Sequence, residues 1–187
     1  MATEGHDGSG GGETGHGSYL RFFVMIATAM IAMYLLTYVN SYRILDHARF
    51  SETRLFMTLV MGASMMAIML VFMLKMYRNR TRNAAIFVGA GLLLAVGIWL
   101  VRSQATVGDV DYMEGMIPHH SIAILTSERA GIEDPRVREL ADEIIEAQRR
   151  EIREMDWLIA DIRANGVAGS RAEADARPVP DFSGEPE

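Results

Sequence analysis

The sequence predicts an all-α protein: three transmembrane helices followed by an antiparallel helical hairpin outside the cytoplasm. Three apolar stretches, about 22–39, 55–76 and 84–101, are each long enough to cross a hydrocarbon core of about 30 Å. Beyond them, two segments repeat apolar residues at helical spacing between cap and stop residues. Half of the 187 residues are hydrophobic although the formal net charge is −6, so apolar and charged material must occupy different parts of the chain.

Residues 1–18 are glycine-rich with Glu4, Asp7 and Glu13, the composition of a disordered tail. His6 and His16 within it read as solvated. The membrane domain, 19–101, follows. Tyr19 flanks the first span on one side and Tyr34, Tyr38 and Tyr42 on the other, as interfacial anchors do. The leader carries no positive charge and Thr37–Asn40 is no cleavage site, so this is a retained span rather than a signal peptide.

Lys75, Arg78, Arg80 and Arg82 crowd the turn between the second and third spans, which places that turn in the cytoplasm. The N-terminus is then cytoplasmic. The 40–54 loop, with Arg43, Arg49 and Arg54 beside Asp46 and Glu52, lies outside, as does everything after Val101. The second span carries Met57, Met61, Met65, Met69 and Met73 at successive i+4 steps, a slowly winding stripe. It reads either as a thioether path for Cu(I) or as flexible apolar filler between helices. Ala85, Gly89, Gly91 and Ala95 in the third span permit close helix approach.

A polar linker, 102–108, leads to the hairpin, 109–165. Its helices are expected over 109–130 and 135–164, with Gly131 as a stop, Asp134 as N-cap and Pro135 in the first turn. Glu146, Arg150 and Glu154 form i, i+4 pairs on its outer face. Residues 166–187, mostly Ala, Gly, Pro and acid, are expected to be disordered.

The chemistry gathers at Tyr112–His120, read as M-x-x-M-x-x-H-H from Met113. Met113, Met116 and His120 share one helical face. Thioether sulfur with imidazole suits copper, Cu(I) ahead of Cu(II). There is no cysteine, so a soft-metal site has to be built from Met and His. Such donors bind without losing a proton and cannot be tied up as disulfides.

The second hairpin helix has a seam of Val137, Ala141, Ile144, Gln148, Glu151, Met155, Leu158 and Ile162. The first has Asp109, Met113, Met116, His120, Ala123, Ser127 and Ala130. Folding about residues 132–133 sets Met116 opposite Gln148, Met113 opposite Glu151 or Ile152, and Asp109 near Met155. Burying such polar groups without partners costs several kcal/mol, so their meeting implies either a shared cation or a hydrogen-bonded network. His119 lies about 100° round the helix from His120, so one of the two can ligate while the other supports it.

Tyr112 to Leu158 resembles the CopM-like family of helical domains, long catalogued as a domain of unknown function and related in shape to ferritin-like bundles. The matching residues are Tyr112-Met113, Met116-Ile117-Pro118-His119-His120, Asp134-Pro135, Ala141, Ile144-Ile145, Gln148, Glu151-Ile152, Met155 and Trp157-Leu158. The resemblance implies a ferritin-like half bundle outside the cytoplasm that binds copper. Met113, Met116, His119, His120 and Met155 would be its ligand pool, with Asp109, Gln148 and Glu151 as supporting or additional ligands. Members often have Gln and Met where this chain has Ser121 and Thr126. A hairpin of two helices buries little, so the missing layer is expected from another copy or from the membrane domain.

The sequence thus reads as a membrane-anchored copper-binding protein that buffers, tolerates or delivers copper rather than turning over a substrate. Its expected partners are the metal ion, the membrane, further copies of the chain and a copper donor or acceptor protein. The acidic balance argues against nucleic acid. No Glu-x-x-His pair of a ferritin-like di-metal oxidase occurs, nor H-E-x-x-H. Rival readings are copper permeation along the Met57–Met73 ladder, in the manner of Ctr-type transporters, and a structural module without metal.

Overall fold

A computed structural model describes residues 13–39, 41–43 and 46–183, with side chains from Ser18. Residues 1–12, most of the expected N-terminal tail, lie outside it, as does the side chain of His16. The described residues are helical, in six elements: α1 (Glu13–Leu36), α2 (Glu52–Phe72), α3 (Arg80–Ser103), α4 (Asp109–Arg129), α5 (Pro135–Asn165) and α6 (Arg171–Asp175). They form two compact units.

Unit 1 holds Met1–Leu35 and Leu55–Ser103. All three of its helices are long and apolar enough to cross a membrane. Their mutual packing is concentrated on Tyr19, Phe22, Ile26, Leu70, Tyr77 and Ile86. The Tyr19 hydroxyl donates to Asn83 Oδ1 at 2.8 Å, and Asn83 Nδ2 donates to the Tyr77 carbonyl at 2.6 Å. Buried polar groups are therefore paired where α1 starts, α2 has ended and α3 begins. Met65, Met66, Met69 and Met73 pack against this core, while Met57 and Met61 are exposed. One end of the ladder thus fills space between helices.

Small residues set the helix approach. A Cβ on Gly97 would lie 2.8 Å from Val60 Cγ2, so α2 and α3 touch where only hydrogen fits.

Unit 2 holds Leu36–Arg54 and Gln104–Glu187. Three crossings would put the 37–51 segment and all residues beyond Ser103 on one side of a bilayer, and here they pack together. In α5 the start follows local chemistry: the Asp134 carboxylate accepts from Arg136 N at 2.9 Å and Pro135 opens the helix. Gly166, at φ +80°, ends it. Pro118 neither starts nor ends α4; it is buried inside one continuous helix.

One sequence expectation is corrected. The 166–187 stretch is not a disordered tail over its described part: residues 166–183 carry α6 and fold onto α5. Arg177 Nη1 donates to Asp161 Oδ2 at 2.6 Å, and Arg153 Nη2 to the Phe182 carbonyl at 3.0 Å. Low hydrophobicity did not prevent order, because the strap is fastened by charge rather than by a core of its own. For the hairpin, the layer expected from another copy or from the membrane domain comes from between the first two spans. It is the 41–51 loop.

That loop also turns the buried face. On α4 the buried residues are Met113, Ile117, Pro118, Ser121 and Ile124; on α5 they are Ala141, Ile152, Met155 and Ile159. Met116, His120 and Leu158 are only half-buried and Val137 is exposed. The expected seam is rotated because each helix contacts more than its hairpin partner.

Candidate metal site

The nine residues from Tyr112 to His120 lie on the first three turns of α4, with Asp109 and Asp111 in its opening turn. Met113 (6 % exposed) and Met155 (9 %) are brought together in one buried cluster with Ile117, Ile152 and Ile159, and Met116 packs against it. Each thioether arrives because its helical phase faces the partner helix. Asp109, Met113 and Met155 also line a common cavity of about 610 Å³. The C-terminal strap closes its other side with Val167, Arg177 and Val179. The cavity is mostly apolar, with two methionines in its wall and the charged residues Asp109, Asp161, Asp175, Arg171 and Arg177 around it.

The imidazoles divide. His120 keeps only 14 % of its side chain exposed, and its Nδ1 lies 3.1 Å from Glu151 Oε2. The two atoms would form an ion pair only with the ring protonated, and this buried ring nitrogen has no hydrogen-bond partner. Burial holds the His120 pKa below its ordinary 6.5; the Glu151 carboxylate opposes this and His119 adds to it. The ring is therefore neutral at pH 7, the form a metal ligand needs. His119 is exposed, its ring 6.4 Å from that of His120. Gln148 is half-buried. Of the two residues expected opposite Met113, Ile152 shares its buried cluster and Glu151 reaches His120.

Among the described residues, no three His, Asp or Glu side chains gather closely enough to hold a metal ion. Any ion held here depends on thioether sulfur. Met113 and Met155 line the cavity, whereas Met116, His119 and His120 do not; thioether sulfur and neutral imidazole are each donors of the kind a soft ion takes.

Several residues that frame the site were not legible as part of it. Ser121, wholly buried, accepts from Tyr42 N at 2.6 Å and lies 2.9 Å from His47 Nδ1. Glu114 takes an ion pair from Arg163 at 2.7 Å and a longer one from Arg49 at 3.9 Å. Arg49 also reaches Asp156 at 2.8 Å. Ser51 approaches so near Gly115 that a Cβ there would lie 3.2 Å from its hydroxyl. Only the arginines of the 40–54 loop hinted at these contacts, since a loop outside the cytoplasm does not call for them.

A family model described as Domain of unknown function (DUF305) matches residues 104–181. An uncharacterized protein of Acanthamoeba polyphaga mimivirus is 31 % identical over 141 residues, covering 73 % of this chain and 89 % of that protein. The chain belongs to the DUF305 family. The DUF305 match takes in α4, α5 and the strap as far as residue 181, so the strap lies within the family domain. The similarity to the viral protein is too long to fit beyond Ser103 and therefore runs into the spans. No solved structure matches the chain.

Proposed function

We propose that this protein is a membrane-anchored copper-binding protein whose hairpin captures copper, Cu(I) ahead of Cu(II), for buffering, tolerance or delivery. The observation that carries the reading is the burial of Met113 and Met155 together on facing helices, on the wall of a shared cavity. Two thioethers offered from an apolar wall favour a soft monovalent ion, which needs little hydration or charge compensation. Asp109 lines the same cavity and could offset its charge. Met116 and His120 are the next donors along α4, with Glu151 orienting the imidazole. His119, exposed, is suited to handing copper in from solution, and Gln148 to a supporting contact.

The task is capture and release rather than turnover, with the hairpin outside the cytoplasm, the N-terminus inside, and a copper donor or acceptor protein as partner. Association of several copies remains part of the proposal. The packing of Met65, Met66, Met69 and Met73 against the core of unit 1 favours filler over a permeation path.

The test is X-ray absorption on the full chain loaded with Cu(I) in mild detergent. Sulfur scatterers that disappear when Met113 and Met155 become Leu support the reading. Copper bound through nitrogen and oxygen alone contradicts it.

A further inference from the structure

Unit 1 carries a second candidate site, independent of copper. A trough of about 660 Å³ runs between α1 and α3, floored by Met66 and lined by Tyr19, Phe23, Arg82, Ile86 and Gly89. It is open on its outer side: Phe23 is exposed, and a Cβ on Gly89 would meet nothing within 4 Å. From Arg82 to Gly89 it follows α3 for about 10 Å at the helical rise, roughly a third of the hydrocarbon core. At its polar end the Arg82 guanidinium lies over the Tyr19 ring, 5.5 Å from the centroid.

Basic residues predominate around that end. Between Ser18 and Leu35, and between Leu55 and Ser103, there is no Asp or Glu, whereas Arg21, Lys75, Arg78, Arg80, Arg82 and Arg102 are present. In a chain of net charge −6, these two stretches carry basic residues and no acidic ones. Tyr77, Arg78, Arg80 and Asn83 line a neighbouring hollow of about 520 Å³. An apolar trough ending at a guanidinium stacked on a tyrosine ring, with further arginines in the next hollow, matches a molecule with an alkyl body and an anionic head.

We propose that this trough holds one acyl chain of an anionic phospholipid, with the lipid phosphate paired to Arg82. The guanidinium suits phosphate through its planar fork of donors, and its stem and ring partner keep it at the depth where chain and headgroup meet. A second copy of the protein is the less suited occupant, since parallel copies would bring two basic ends side by side. The inference rests on α1 to α3 spanning a membrane and not on copper binding.

Native mass spectrometry of the full-length protein decides it, using phosphatidylglycerol and phosphatidylcholine of identical acyl chains. The wild type should retain phosphatidylglycerol about fivefold better, the scale of one basic residue at an anionic surface. Arg82→Gln should bring the two lipids to parity, Arg82→Lys should keep most of the preference, and Arg102→Gln, at the other end of α3, should leave it unchanged. Gly89→Leu should reduce retention of both lipids by filling the trough. Excess inorganic phosphate should not displace the bound lipid. Equal retention of both lipids by the wild type would overturn the proposal, as would undiminished preference in Arg82→Gln or displacement by phosphate. So would a lipid-free wild-type dimer that Gly89→Leu dissociates.

Discussion

His120 feels two opposed influences, burial favouring the neutral ring and Glu151 favouring the charged one, and burial is the larger. The folded pKa lies below 6.5, so on acidification the unfolded chain takes up this proton first. The contribution of His120 to stability is therefore whole above pH 6.5 and is lost as pH falls from there through the depressed folded value. Histidine titration by NMR should show a His120 midpoint below 6.5, moved lower still in Glu151→Gln, where the opposing attraction is gone; a midpoint above 6.5 would contradict this. The burial of Met113 and Met155 was legible from helical phase, and the polar character of His120 and Glu151 marked them as unusual seam members. Ser121 was not legible, because its partners Tyr42 and His47 lie 79 and 74 residues away in the chain.

At the scale of elements, what is decided locally was readable. The α5 start at Asp134-Pro135 and the span helices follow from caps, composition and length, which nearby residues settle. The phase of the buried faces was not readable, since the 41–51 loop adds a layer against Ser121 and Gly115 that no periodicity within α4 contains. The strap was misread for a similar reason: its order comes from Arg177 against Asp161, both little exposed, rather than from apolar content. Replacing Arg177 by Met should cost about 2 kcal/mol, the scale of a hydrogen bond to a charged group, measured as a drop in chemical stability of unit 2. Unchanged stability would mean that the strap is held elsewhere. Within unit 1, Gly97→Ala forces a methyl against Val60, a stiff side chain, and should destabilise the α2–α3 contact by about 1–3 kcal/mol in detergent unfolding. No effect would mean that the helices part there without cost.

For the whole molecule, the hairpin is not self-sufficient. It is covered by a loop from between the first two spans, fastened through Arg49 to Glu114 and Asp156, and by a strap from its own C-terminus. A fragment of residues 104–183 should therefore melt well below unit 2 of the intact chain, and Arg49→Met in the intact chain should move part of the way toward it. Equal melting of fragment and intact chain would show that the loop contributes nothing. The most direct measurement is a competition titration of the full-length protein against an independent Cu(I) chelator, comparing wild type with Met113→Leu/Met155→Leu. Leucine nearly conserves volume, so folding should change by less than about 1.5 kcal/mol per site. The account predicts a Cu(I) affinity at least roughly tenfold weaker in the double variant, a loss no smaller than that from removing a supporting residue at a metal site. An affinity equal to that of the wild type, with both proteins equally folded, would contradict it.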